Sequence, residues 1–581
     1  MSTSAHAQEA TMASTTDTIV ERPEAAGRPS FRSDVTALDT SGTGTLRSVE
    51  EKDQREAHRS LPSVPPDNNH RCLILCFDGT GDQFDADNSN IVQLVSALKK
   101  NDRTKQMVYY QSGIGTYTSP KLATPLTAKI SLTVDAAIAW NLGEHVMAGY
   151  EFLMQNYTAN DRICIFGFSR GAYIARSLAG MIHKVGLLPA DNHQQVPFAY
   201  RMYTRTDATG WAQSNAFKKA FSNDVHIDFI GVWDTVDSVG LIPKRLPFTT
   251  SNTIVRTFRH AVSLDEHRAK FKANLWNFPS DAEKKLGTHT PPPTPTLPAL
   301  PKRGYTFPRP NLTTHFRSST TLEDGDAEMK FEEAYAHNHQ KTRRTDVLEV
   351  WFAGCHTDVG GGSVPNDTRH SLARIPLRWM IRECFKADTG MLFDPHRLQQ
   401  LGLDPATLYP LVLPRPPPLP VGTVKIESIP KRKLWLRRLL SRKQTPEFTV
   451  SPEPEDTPPE KPSCGMEEEE DLKDALSPIY DQLKLKPFWW ILEVIPMSFR
   501  SQRLDDKWNW EVYANRGRPR SIPHQRQHVA DPDHPHYKED HKPVVNLKVH
   551  RSVETRRAAR DAKGRPYVNR ARFHCEPQWV D

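Results

Sequence analysis

From residue 70 to about 362 the chain repeats one pattern, a short apolar run that ends in a polar loop containing glycine. Leu73 to Phe77 run into Asp78-Gly79-Thr80, which reads as a buried strand leaving a sheet through a tight loop. In NIVQLVSALKK (90–100), Ile91, Leu94, Val95 and Leu98 recur at helical intervals. QMVYYQ (106–111) predicts a second strand, and 129–157 carries the period of one or two amphipathic helices. RICIFGFSRGAYIARSLAGMIHKVGLL then predicts a strand, a turn and a helix with Ile174, Leu178, Met181 and Ile182 on one face. HIDFIGVWDTV and VLEVWFAGCHTDVGGG repeat the strand-then-loop arrangement, while RHAVSLDEHR between them looks helical. Strands and helices alternating in this way predict an α/β fold with a doubly wound, mostly parallel sheet whose working loops share one edge.

The flanks break the pattern. Residues 1–68 are rich in Ser, Thr, Ala, Glu and Arg with few large apolar groups, so they predict a disordered head. THTPPPTPTLPALPK (288–302) lies in a polar stretch from about 280 to 345 that predicts a proline-rich insertion in an α/β domain spanning 69–410. Residues 411–477 combine PRPPPLP, the basic KRKLWLRRLLSRK and an acidic block, and predict a linker. Residues 478–581 regain apolar character in PFWWILEVIP and LKVHRSV and predict a C-terminal part packed on the preceding domain. PFWWILEVIP reads as a buried core segment, with an acyl-pocket lining as its alternative.

Composition narrows the class. With 37% hydrophobic residues, 47 prolines in 581 residues and a mean hydropathy of -0.60, part of the chain must lie outside any core. No run approaches the roughly 18–20 apolar residues of a membrane span, and the first residues lack an apolar signal core. A cytoplasmic protein is therefore expected, one that touches membranes at most peripherally. The seven cysteines form no CxxC pair, so no disulfide framework or zinc ribbon is predicted. A net charge of +7 with no nucleic-acid motif gives no expectation of a nucleic-acid partner.

The candidate chemistry centres on Gly167-Phe168-Ser169-Arg170-Gly171. G-x-S-x-G is a cheap pattern, but here it stands where a strand ends and a helix begins. A nucleophilic serine needs that turn, with Gly167 and Gly171 allowing the close approach of two chain segments. The alternative is a glycine-rich turn with an inert serine. Activation requires a histidine and an orienting carboxylate, and Asp234 and His356 each follow an apolar strand. Asp228, Asp237, Asp265, His260 and His267 are rivals placed within a strand, past a loop or on the helical-looking stretch. An oxyanion could be held by the N–H of Arg170 and by the Gly79-Thr80 loop. Asp78 alternatively reads as a phosphoryl acceptor, although that chemistry needs an Asp where Thr80 stands. His356, Asp358 and Asp78 lack tight metal-ligand spacing, so neither a metal nor another cofactor is expected.

LCFDGTGD (75–82), YYQSGIGT (109–116), IFGFSRGAYIAR (165–176), GVWDTVDSVG (231–240), RHAVSLDEHRAKF (259–271) and VWFAGCHTDVGGG (350–362) together resemble an uncharacterised α/β-hydrolase family. Its studied bacterial members are type VI secretion phospholipase effectors. The resemblance implies an α/β-hydrolase fold, esterase or phospholipase chemistry, and a triad of Ser169 in GFSRG, Asp234 in GVWDTV and His356 in GCHTDVGGG. The head and the linkers do not resemble a compact secreted effector, so no antibacterial role is carried over. A serine hydrolase acting on lipid or phospholipid acyl esters is expected. In KRKLWLRRLLSRK, Trp435, Leu436 and Leu439 beside Arg438 could contact an anionic membrane, with a localisation signal as the alternative. A different class of reading is a catalytically silent scaffold whose proline-rich linkers bind SH3 or WW domains.

Overall fold

The computed structural model describes residues 63–80, 82–113, 130–205, 207–236, 246–249, 252–276, 345–429, 467–502, 508–522, 547–573 and 575–581. The head to residue 62, the 288–302 proline run and the basic 431–443 run with Trp435, Leu436, Arg438 and Leu439 lie outside the described residues.

Twelve strands are described: β1 (Cys72–Phe77), β2 (Gln106–Gln111), β3 (Arg162–Phe168), β4 (Ile227–Trp233), β5 (Val255–Ser263), β6 (Asp346–Phe352), β7 (Lys425–Ile426), β8 (Pro496–Gln502), β9 (Trp508–Ala514), β10 (Lys548–His550), β11 (Arg560–Asp561) and β12 (Gln578–Val580). Eight of them form one sheet in the order β12-β10-β6-β5-β4-β3-β1-β2, and every pairing in it is parallel. The five helices that matter most here are α1 (Asn90–Ala97), α2 (Ile130–Asn156), α3 (Arg170–Val185), α4 (Arg374–Lys386) and α5 (Glu467–Ala475).

Alternate residues of each strand serve opposite cores, as a two-sided sheet requires. Leu73, Leu75, Ile163 and Ile165 pack with Tyr150 and Leu153 of α2 and Ile174 and Leu178 of α3. Cys72, Ile74, Cys164 and Phe166 pack on the other side with Ile91 and Leu94 of α1 and Trp379 and Met380 of α4. Both faces are therefore covered, and the strands read as continuous apolar runs. The chain leaves β1 toward β2 and then crosses back to β3, so the order reverses at β1. A crevice opens beyond the carboxyl ends of strands at such a reversal, and Asp78 and Ser169 both stand there.

Three stretches differ from their sequence pattern. RHAVS is the end of the central strand β5 rather than a helix, because its polar positions are neutralised inside the sheet. Arg259 binds Glu383 and Asp346, each at 2.6 Å, and His260 binds Glu349 at 2.8 Å. The acidic end of the predicted linker is α5, whose Glu468, Glu470, Asp471 and Asp474 are buried. Arg378 and Arg382 of α4 meet it with Arg415, and these cations make an acidic helix admissible at that depth. In PRPPPLP (414–420) the same contact takes up Arg415, whose side chain is 4% exposed against Glu467, Glu468 and Asp471, while Pro414, Pro416, Pro417, Pro418 and Pro420 are exposed. PFWWILEVIP, read above as core, instead leaves Phe488, Trp490, Ile491, Val494 and Ile495 exposed. Among the described residues no helix is long and apolar enough to cross a membrane.

Candidate active site

Ser169 is placed by the register of the sheet. Phe168 pairs with Trp233 and Trp233 with Ala261, so Ser169 and Asp234 leave adjacent parallel strands at the same height. Ser263 pairs with Phe352, and His356 follows β6 four residues later on the same edge. Amides seal the arrangement: Ser169 N–H donates to the Trp233 carbonyl at 3.0 Å and Asp234 N–H to the Ala261 carbonyl at 2.7 Å.

The turn at Ser169 is strained. Its φ of 58° and ψ of -119° lie where a side chain is rarely tolerated, at a cost of about 1–3 kcal/mol. Asp234 is also in the left-handed region, with φ 42°. The two flanking glycines are required. A Cβ at Gly171 would strike the carbonyl oxygens of Phe77 and Asp78, and one at Gly167 the backbone of Gly171 and Ala172. Together these place β3 and α3 against the end of β1, with Ser169 at the bend.

Asp234 and His356 are joined. The His356 Nδ1 to Asp234 Oδ2 distance is 2.6 Å, with the carboxylate fully buried. An ionised carboxylate only accepts, so Nδ1 donates and the lone pair of the neutral ring falls on Nε2. The ring is positioned by two aromatic neighbours, Phe168 at 4.7 Å and Phe271 at 4.8 Å between centroids. Phe168 directly precedes Ser169, so this contact sets the imidazole beside the turn. Burial holds the His356 pKa below the usual histidine value, opposed by its bond to Asp234. Asp234 lies well below the usual carboxylate range despite its burial, because Arg520 and His356 both favour the charged form.

Arg170 opens α3, placing its N–H at the helix start beside Ser169. The Gly79 N–H, expected to help hold an oxyanion, donates instead to the Asp78 carboxylate at 2.8 Å. Thr80 offers a buried Oγ1 with no hydrogen-bond partner among the described residues. Asp78 itself accepts from Ser89 Oγ at 2.6 Å and Tyr110 Oη at 2.8 Å, which makes it a loop anchor rather than a presented nucleophile. Asp82 close by is pushed up to about 7 by burial and by Asp78, Asp85 and Asp87, while burial pushes Arg170 down to about 10.

The rivals resolve into supports. Asp265 accepts from Gly354 N–H, Tyr567 Oη and Arg570 N–H and so fixes the loop before His356. His267 is bound to Asp481, and His260 is bound to Glu349 within the sheet. Asp228 sits on β4, accepting from the Ile163 amide, and Asp237 lies outside the described residues. His356, Asp358 and Asp78 are not gathered as a ligand set, since Asp358 is taken by the Cys355 and Tyr480 amides. The described cluster with metal-ligand proximity, His370, Glu470 and Asp474, is engaged by Arg369, Arg374 and Arg378. Two residues escaped the sequence reading. Glu266 accepts from the His356 amide at 3.2 Å, and Arg520 grips Asp234 at 2.6 and 2.9 Å. Glu266 lay visible within RHAVSLDEHRAKF, whereas nothing in RGRPRS marks Arg520.

The family model for the catalytic domain of Tle1-like type VI secretion phospholipase effectors matches residues 71–383. An uncharacterized protein of Saccharomyces cerevisiae, YEL023C, is 28% identical over 560 residues, which cover 80% of this chain and 79% of that protein. An uncharacterized protein from Pseudomonas aeruginosa with a crystal structure is 17% identical, at a TM-score of 0.29 over 60% of this chain and 50% of its own. A Tle1 effector solved bound to the VgrG spike of the type 6 secretion system is 18% identical, at a TM-score of 0.23 over 52% of this chain and 53% of its own. The chain spans about half the length of either solved protein.

Proposed function

The chain belongs to the Tle1-like phospholipase effector family, and from that premise we propose that it is a serine hydrolase cleaving the acyl esters of lipids through Ser169, His356 and Asp234. The observation that carries this reading is the buried Asp234–His356 bond set beside the strained turn at Ser169.

In this mechanism Nε2 of His356 removes the Ser169 proton as the alkoxide attacks the ester carbonyl, and Asp234 stabilises the imidazolium that forms. The N–H of Arg170, at a helix start, stabilises the tetrahedral oxyanion, with the Thr80 side of the Gly79-Thr80 loop as the second contributor. His356 then returns its proton to the leaving alcohol. Water enters by the same base, and the acyl group leaves as a fatty acid.

Support for lipid as the substrate comes from the segment after α5. Trp489 packs on Phe271, which packs on His356, and the neighbouring Phe488, Trp490, Ile491 and Val494 are exposed. An apolar surface separated from the base by the two rings of Phe271 and Trp489 suits an acyl chain entering from a membrane. This segment is a second candidate for the peripheral contact, beside the basic run named above.

A fluorophosphonate probe tests the proposal, because only an activated serine reacts. Labelling of the full chain that disappears in Ser169→Ala is expected. A folded protein that does not label would leave a silent scaffold, and labelling unchanged by the substitution would remove Ser169 as the nucleophile.

A further inference from the structure

We infer that Arg520 is a positioning residue of this centre, supplied from beyond the matched catalytic domain, which locks both oxygens of Asp234 and offsets their pull on the His356 proton. The inference rests on the proposed triad and goes beyond it, since no member of the triad explains why its buried carboxylate should also be gripped by an arginine.

The geometry is complete on both sides. Arg520 Nη1 donates to Asp234 Oδ1 at 2.6 Å and to the Ser263 carbonyl at 3.2 Å. Nη2 donates to Asp234 Oδ2 at 2.9 Å and to the Phe271 carbonyl, which also accepts from Nε at 2.9 Å. All five guanidinium N–H groups are thereby used. Asp234 Oδ1 also accepts from the Ser263 amide at 2.9 Å, and Oδ2 also accepts from His356. Neither carboxylate oxygen can rotate away without breaking a charge-assisted bond. A lysine could supply the charge but not the planar fork.

The loop that carries Arg520 is itself tied to the catalytic edge. Glu493 accepts from the Asn515 side chain and the Gly517 amide, and its other oxygen accepts from the Ala269 amide. Asn515 donates in addition to the His267 carbonyl. Arg520 is thus held in place from both ends of the contact.

The electrostatic consequence has a definite sign. Asp234 alone, at hydrogen-bond distance, would stabilise imidazolium and raise the proton affinity of His356. Arg520 spends part of that carboxylate charge. The other charged groups around the ring are Glu266, which favours its protonation, and Arg268, which opposes it. Lys272 and Glu493 lie around Arg520 itself, of opposite sign to each other. Without Arg520 the balance moves toward protonation, and the neutral base is lost at a higher pH.

The test compares the full-chain wild type with Arg520→Met and Arg520→Lys, measuring Ser169-dependent hydrolysis of a soluble p-nitrophenyl ester against pH, with melting temperature read in parallel. Arg520→Met is expected to move the acid limb of kcat/KM upward by about one pH unit and to lower the plateau about 10–100-fold. Arg520→Lys is expected to return the limb to within a few tenths of a unit of wild type while leaving the plateau about tenfold low. A limb in Arg520→Met that coincides with wild type, whatever its melting temperature, would reduce Arg520 to a structural tie and overturn the inference. Should Arg520→Met fail to fold, the lysine variant decides alone, and a wild-type plateau there overturns the inference. Absence of Ser169-dependent turnover in the wild type would instead bring down the proposed function, and the inference with it.

Discussion

The carboxyl edge of the sheet and the C-terminal region that braces it are built on opposite principles. At the edge, the proposed chemistry rests on local strain: Ser169 and Asp234 both stand at positive φ, each directly after an apolar strand. The brace uses buried charge over long separations: Arg520 reaches Asp234 across 286 positions, Arg570 reaches Asp481, and Arg378 reaches Asp471 and Asp474. In the proposed mechanism the first arrangement places the reacting atoms, and the second keeps them there. Strain at a turn persists only when surrounding structure over-determines it, so the brace is part of what makes the strained edge possible.

The comparison breaks most sharply at the residue the two regions share. Asp234→Asn removes the charge that orients His356, and turnover is expected to fall about 10³–10⁴-fold. The same change leaves the buried Arg520 without its closest carboxylate, so the melting temperature should fall as well. A variant that lost turnover at an unchanged melting temperature would place Asp234 in the edge alone.

Breaking the brace away from the edge comes next in size. Arg378→Ala leaves Asp471 and Asp474 buried without their closest cation, for an expected loss of about 3–5 kcal/mol in stability by denaturant unfolding. Probe labelling of Ser169 should persist below the new midpoint. Labelling lost while the protein remained folded would mean that the brace sets the chemistry directly.

The smallest expected effect separates access from chemistry. Trp490→Ala combined with Ile491→Ser removes exposed apolar surface, and turnover on phospholipid vesicles should drop about 3–10-fold with soluble-ester turnover unchanged. An equal drop on both substrates would place these residues in the packing of the site instead.

The same contrast explains what could be read in the chain. The edge was legible because each element carries its own signature: an apolar strand, a loop at its carboxyl end, and glycines where two backbones meet. Ser169, Asp234 and His356 were therefore named together, and the sheet does bring their loops to one edge. The brace was illegible because an ion pair between positions 89 to 286 residues apart leaves no period. Glu467 to Ala475 resembled a solvated acidic linker until Arg378, Arg382 and Arg415 were seen around it, and RGRPRS resembled any basic loop. The error at RHAVS has the same origin, since Arg259 and His260 are polar in the sequence but neutralised within the sheet by Glu383 and Glu349. Helix α3 shows it once more. Predicted to be amphipathic, it is buried all round, with Arg176 bonded to the Asn274 carbonyl and Lys184 lying over Trp211.

The most direct test of the account is fatty-acid release from phospholipid vesicles by the full chain and by Ser169→Ala. Wild-type turnover is expected to fall at least about 10³-fold in the variant, with both proteins melting at similar temperatures. Release that is equal in the two, or absent from a folded wild type, would contradict it.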